Sequence, residues 1–172
     1  MPDGSPAVSI PHLVTPRLML REYRRSDFDA FAAHLADPVS TQFVGSFDRR
    51  SAWRIFGCNT GEWILQGTGW WAIEHRETGA LVGNVGAFFR ETWPEIELGW
   101  NLFRSYWGQG FATEAAAEVL RYVFESRKEA RATALIDPVN APSVRVAGRL
   151  GMTYESDADF YGKLIGRYVK AR

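Results

Sequence analysis

With 172 residues, 46% of them hydrophobic, the chain is long enough for one domain with a sizeable core, and its 7 Trp, 6 Tyr and 11 Phe exclude a disordered polymer. Twenty Lys and Arg balance twenty Asp and Glu at a pI of about 6.8, so there is no strong basic field to hold nucleic acid or an anionic membrane. The single cysteine, Cys58, excludes an internal disulfide, and His12, His34 and His75 lie too far apart for metal-ligand spacing.

The start Met1–Ile10 has neither a cationic end nor a long apolar stretch, and no apolar run approaches the ~20 residues that span a bilayer. The expectation is a soluble cytoplasmic protein, monomer or homodimer, with no metal, no nucleic-acid partner and no membrane partner. Residues 1–14, rich in Pro, Ser and Gly, read as a flexible tail, and residues 15–172 as a single domain.

In chain order, Arg17–Tyr23 alternates as a strand. Ser26-Asp-Phe-Asp29 resembles a capping box before a helix with Phe28, Phe31, Ala32 and Leu35 at helical spacing, stopped by Asp37-Pro38. Trp53, Phe56, Trp63 and Ile64 suggest a second helix, interrupted by Gly57 and Gly61. The period then changes. Gly69–Arg76 and Leu81–Arg90 read as strands around the turn Glu77-Thr-Gly79, and Glu95–Phe103 as a third. Phe111–Ser126 is a strong amphipathic helix, Ala132–Ile136 a short strand, and Ser143–Leu150 a helix closed by Gly151. Met152–Glu155 and Tyr161–Lys170 read as a closing pair of strands, with Asp157 and Asp159 in the loop between them. The order predicts a mixed α/β (α+β) domain of about seven strands and four helices, with antiparallel hairpins first and one strand-helix-strand crossover.

The chemistry concentrates between Glu95 and Glu114, where a strand runs through a short loop into Gly108-Gln109-Gly110 and a helix start. Two glycines allow positive φ and close ligand approach, and a helix start offers unpaired N–H groups at its positive end, an anion site to which the Thr113 hydroxyl could add. A plain tight turn would show the same pattern. A P-loop needs Lys then Ser or Thr after the second glycine, and Phe111-Ala112 stands there instead. A dinucleotide fold lacks its third glycine, which is Thr113, and its acidic residue, Asp137, lies too far downstream.

A third template fits. Trp107-Gly-Gln-Gly-Phe-Ala112, followed by Thr113-Glu114-Ala115, resembles the pyrophosphate loop of GNAT acetyltransferases. Thr15-Pro-Arg-Leu-Met-Leu-Arg21 with Asp27, Gly83-Asn-Val-Gly86, and Asn140-Ala-Pro-Ser143 continuing to Leu150-Gly151-Met152 resemble further parts of the branch that acetylates N-terminal alanine of ribosomal proteins. Trp107 stands where the superfamily often has Arg or Gln, as is common in this branch, and takes a packing role only. The resemblance implies a sheet splayed between strands 4 and 5, with acetyl-CoA as co-substrate in the opening. Its pyrophosphate would lie on the amides of Gly108, Gln109, Gly110, Phe111, Ala112 and Thr113. Its pantetheine arm would lie along Leu98, Gly99 and Trp100 and near Asn140, with the sulfur near Ser143. Gly99 would then leave room for close backbone approach.

Acetyl transfer to an amine needs a base, oxyanion donors and help for the leaving thiolate. Alternation on Glu95–Phe103 puts Ile96, Leu98, Trp100 and Leu102 on one face and Glu95, Glu97, Gly99 and Asn101 on the other. A carboxylate row suits a wet cleft, so Glu97 is the candidate base, with Glu95 the second choice and the Leu98 N–H a candidate oxyanion donor. Ser143 could protonate the thiolate or merely mark a helix start, and Tyr154 and Tyr106 are alternative donors. Arg145 and Arg149 either approach the CoA phosphates or form a solvated helix face. Trp53, Trp63, Trp70 and Trp71 read as core, with an aromatic acceptor wall the second reading. The predicted function is an acetyl-CoA-dependent N-acetyltransferase acting on a primary amine, protein N-terminus or small molecule, by direct transfer in a ternary complex. The alternatives are a non-catalytic CoA-binding sensor and a dinucleotide-dependent oxidoreductase.

Overall fold

The computed structural model describes residues 8–91 and 93–172. Twelve elements follow the predicted order with one addition: β1 (Leu13–Val14), β2 (Leu18–Arg21), α1 (Phe28–Ala36), α2 (Arg49–Gln66), β3 (Trp70–His75), β4 (Leu81–Phe88), β5 (Ile96–Leu102), α3 (Phe111–Glu125), β6 (Arg131–Ile136), α4 (Ala141–Arg149), β7 (Thr153–Phe160) and β8 (Lys163–Ala171). The addition is β1, which pairs with β2 through Leu13–Leu20 and Val14–Met19. Ordered structure therefore begins inside the segment expected to be a tail, because Leu13 buries its side chain against the core. The first seven residues of that segment lie outside the described residues.

The strands form one sheet in the order β1-β2-β3-β4-β5-β6-β8-β7. Every neighbouring pair is antiparallel except β5–β6, and that parallel pair matches only Ile96 with Ala132 and Glu97 with Thr133. The Thr133 hydroxyl donates to the Ile96 carbonyl at 3.3 Å across this short seam. Beyond it β5 and β6 diverge, and the expected splay between the fourth and fifth predicted strands opens here. One parallel pair two residues long also removes the dinucleotide alternative, which needs repeated parallel units.

The sheet is covered on both sides. On one face Ala115, Ala116, Val119, Leu120 and Val123 of α3 pack against Ile73, Val85, Leu98 and Ala134. On the other, Tyr23, Phe28, Phe31, Phe56 and Ala72 form a second cluster under α1 and α2. Helix α2 runs unbroken through Gly57 and Gly61, contrary to the sequence expectation. Its buried residues Ala52, Phe56, Asn59 and Trp63 form one stripe, and packing along that stripe outweighs a glycine penalty of about 1 kcal/mol each. The capping box falls two residues earlier than expected, at the turn Arg25–Asp27 that leads into α1: the Asp27 carboxylate accepts from the Arg24 N–H at 2.7 Å.

Asp157 and Asp159 lie within β7, not in a loop, and the hairpin turn is Tyr161-Gly162 with φ of 52° and 81°. β7 is an outer strand with no buried position in its pattern, so it lacks the apolar alternation by which a strand is read from sequence.

Candidate active site

The candidate anion site begins with backbone geometry. Gly108 and Gly110 both take left-handed conformations, φ 74° and 81°, and no side chain caps the start of α3. The N–H groups of the first turn therefore depend on water or a ligand. The loop is braced from behind by Arg17. Its Nη1 donates to the Gln109 carbonyl at 3.0 Å and its Nε to Glu114 at 2.7 Å, while the guanidinium sits 4.5 Å from the Phe111 ring centroid. Glu114 also accepts from the Thr15 hydroxyl at 2.6 Å and the Arg17 N–H at 3.0 Å. Burial works against the Glu114 charge, but these donors outweigh it and hold its carboxyl below the usual carboxylate range.

In front of the loop lies a cavity of about 440 Å³, lined by Gly108, Gly110, Phe111, Ala112 and Thr113 and by Asn140, Ser143, Arg145 and Arg149 of the α4 region. Gln109 is the exception among the predicted loop residues: its carbonyl is held by Arg17, and its side-chain amide donates to the Ser105 carbonyl at 3.3 Å. Trp107 donates its indole N–H to the Leu102 carbonyl at 2.8 Å and also lines the cavity.

Asn140, not Ser143, caps α4: its side-chain oxygen accepts from the Ser143 N–H at 3.2 Å. Ser143 is thereby left with a free hydroxyl that accepts from the Trp100 indole N–H at 3.3 Å and keeps its own proton to donate. Trp100, Asn101, Asn140 and Ser143 line both this cavity and a second one of about 380 Å³ on the α1–α2 side, so the two spaces meet at the splay.

Leu98, Gly99, Trp100, Ala134 and Ile136 line the second cavity along the gap, together with Glu97 and Arg90. Glu97 is on the face the alternation predicted, but the row does not stand in open water. Glu97 is 5% exposed, and its oxygens accept from Arg90 Nε at 2.6 Å and Nη2 at 2.9 Å. Gly99 likewise differs from expectation. A Cβ there would lie 2.5 Å from the Trp70 ring and one at Gly86 would lie 2.6 Å from it, so these glycines seat an indole rather than clear a path for a ligand backbone. Trp70 stacks on Phe88 at 5.0 Å and forms a cavity wall, whereas Trp63 and Trp71 are core and Trp53 lies against Phe28 with nearly half its surface exposed. Glu95 is tied to Arg131 and Arg167, and Tyr154 donates to Asp157 at 3.0 Å; neither lines either cavity. Tyr106 lines the loop cavity.

Three residues that the sequence did not mark belong to this region. Arg90 follows β4 and reaches Glu97 because Phe88 and Glu97 are cross-strand neighbours, a register readable from the hairpin. His34 lines both cavities; burial lowers its pKa, Asp37 opposing, so the imidazole is neutral near pH 7, and it stacks on Phe103 at 4.8 Å.

Glu62 on α2 feels both Arg90 and Glu97, and its carboxyl is pushed up to about 7, chiefly by burial. The fold favours its protonated form, so its stabilising effect is full below the unfolded value of 4.5 and drains away as pH rises toward 7. Glu62→Gln removes the penalty. The Tm difference between variant and parent should grow from near zero at pH 4 to roughly 2–4 °C at pH 8, about 1 kcal/mol after allowing for partial exposure. A difference independent of pH would contradict this.

Among the described residues no group of three or more His, Cys, Asp or Glu is placed to hold a metal ion, and no helix is long and apolar enough to cross a membrane.

Residues 17–153 match the family profile described as an acetyltransferase (GNAT) domain. The uncharacterized protein YkkB of Bacillus subtilis is 34% identical over 162 residues, 92% of this chain and 94% of its own length. The crystal structure of an acetyltransferase from Agrobacterium tumefaciens is 34% identical, covers 95% of this chain and 96% of its own, and superposes with a TM-score of 0.88. A ribosomal-protein-S5-alanine acetyltransferase from Vibrio fischeri shares the fold at a TM-score of 0.72 with 16% identity, covering 94% of this chain and 97% of its own.

Proposed function

The chain belongs to the GNAT acetyltransferase family, and from that premise we propose that it moves the acetyl group of acetyl-CoA directly to a primary amine in a ternary complex. The meeting of the two cavities at Trp100, Asn101, Asn140 and Ser143 carries this reading, because it gives a donor and an acceptor separate entrances to one point. The amides of Gly108 to Thr113 would hold the diphosphate, with Arg145 and Arg149 as nearby cations. Acetyl-CoA supplies an acyl group activated as a thioester.

The chain's own residues then divide the proton work. An alkylammonium has a pKa near ~10 and must lose a proton to attack. Glu97 uses one lone pair of each oxygen on Arg90, and a carboxylate has about four, so it can still accept from the ammonium and take its proton. The Ser143 hydroxyl, held by Trp100 on a helix start capped by Asn140, would give a proton to the leaving thiolate. Asn140 would contact the pantetheine arm beside Leu98, Gly99 and Trp100. A cytoplasmic setting is part of the proposal and suits an exposed, unpaired Cys58.

Acetyl-CoA at 100 times its Kd should stabilise the native protein by about 2.7 kcal/mol and raise the Tm by several degrees. An amine should then accelerate free-thiol release. The Arg90–Glu97 pair favours one competing reading, a CoA sensor whose carboxylate is purely structural. A Tm shift without thiol release from a broad amine panel would select the sensor, and no shift at millimolar acetyl-CoA would remove both.

A further inference from the structure

Six aromatic rings, Phe31, Phe43, Phe47, Trp70, Phe88 and Phe160, line the acceptor-side cavity, together with aliphatic side chains and the uncharged amides of Asn59, Asn84 and Asn101. Two acidic and two basic side chains also line it, and all four are already paired: Arg90 with Glu97 at 2.6 and 2.9 Å, and Lys163 with Asp137. The imidazole of His34 is buried and neutral.

The charge count restricts the guest. One ammonium can lodge at Glu97, whose carboxylate has lone pairs to spare. A second ammonium on the same molecule would meet no uncommitted carboxylate in the lining, and it would approach Arg90 or Lys163. Aromatic faces could attract it in principle, but the Arg90 guanidinium already sits over two of them, 5.3 Å from Phe88 and 4.7 Å from Phe160. An uncharged body gains instead: it leaves water for a space floored by the Trp70 indole, which the glycine pair Gly86 and Gly99 lets lie flat on the sheet. At about 380 Å³, shared with the gap between β5 and β6, the space is at the small end for a ligand pocket.

Resting on the acetyl-transfer reading above, we propose that the acceptor is a small primary monoamine with an aromatic or compact apolar body, and not a polyamine or an extended cationic chain. The reaction balances without a further reagent. One ammonium proton passes to Glu97, the neutral amine nitrogen forms a bond to the acetyl carbon, the carbon–sulfur bond breaks, and the second proton that the nitrogen sheds on becoming an amide ends on the departing sulfur through the Ser143 hydroxyl, which gives one proton and takes one back.

Thiol release by the full-length protein would be compared for 2-phenylethylamine, spermidine and an alanine-initiated hexapeptide at saturating acetyl-CoA, with the acetyl-CoA Tm shift measured on the same sample. The expected result is a kcat/KM for 2-phenylethylamine at least about 100-fold above that for spermidine and above that for the peptide. Phe160→Ala should lower the 2-phenylethylamine value about tenfold through KM, leaving the KM for acetyl-CoA unchanged. Spermidine or peptide turnover equal to or above that of 2-phenylethylamine overturns the proposal. So does a preserved Tm shift with no turnover of the arylalkylamine. Loss of the Tm shift itself would remove the acetyl-transfer reading and this one with it.

Discussion

Glu97→Gln should lower kcat at pH 7.5 by 10²-fold or more while the Kd for acetyl-CoA stays within about threefold. Positioned bases contribute typically 10²–10⁴-fold, and an amide cannot take a proton from an ammonium near neutral pH. Binding should survive because Glu97 lines the cavity proposed for the acceptor and not the cavity in front of the α3 loop. The variant should recover with pH. The free-base fraction of an alkylamine rises about tenfold per pH unit until its pKa near ~10, so the ratio of parent to variant rates should shrink steadily between pH 7.5 and 9.5. The amide oxygen can still accept one bond from Arg90, whose side chain is one-third exposed, so any loss of stability should be modest. Turnover unchanged at pH 7.5 would eliminate the base role and leave Glu97 as the structural partner of Arg90.

What the sequence showed of this site, and what it hid, follows from the range of the interactions. Alternation on β5 is a local property, and it correctly put Glu97, Gly99 and Asn101 on one face. What faces them is non-local. The partner of Glu97 comes from the end of β4, and the occupant of the Gly99 notch comes from β3, so an expected wet row became an ion pair beside an indole. The Gly108–Gly110 loop was legible because positive φ at two positions around a helix start leaves a mark in residue type. The Arg17 brace on the same loop was hidden for the opposite reason: it takes the Gln109 carbonyl, and a carbonyl has no side-chain signature. Arg17 and Asp27 were visible as parts of a resembling motif without a role. The role appears only when the fold brings Arg17 against the glycine loop and Arg21 against Asp27. β7 was cut short, and α2 was broken at its glycines, because an outer strand without an apolar face and a helix held by packing both defy local pattern.

The largest loss of stability should come from Asp27→Ala. Arg21 and Asp27 are 4% and 7% exposed, and the pair is bidentate, Nη1 at 2.7 Å and Nη2 at 2.9 Å. Arg21 further donates to Glu74 at 2.6 Å and to the Glu22 carbonyl at 2.9 Å, so four of its five N–H donors are engaged. Removing Asp27 strands two guanidinium donors in the interior and takes the acceptor from the Arg24 N–H at the entrance to α1. Breaking a buried pair by removing one partner costs about 3–5 kcal/mol, which in a chain of this size corresponds to a Tm fall of roughly 10 °C. The exposed triad on α3 is the control. Arg121 reaches Glu125 at 2.7 Å and also pairs with Glu118, but its side chain is half exposed, and Arg121→Ala should cost under about 1 kcal/mol. Equal Tm changes in the two variants would mean that burial does not decide the worth of these pairs. Because α1 carries Phe31 and His34 into the cavity proposed for the acceptor, Asp27→Ala should also raise the KM for the amine well below its own Tm. The KM for acetyl-CoA, whose proposed diphosphate loop is braced independently by Arg17 and Glu114, should change far less.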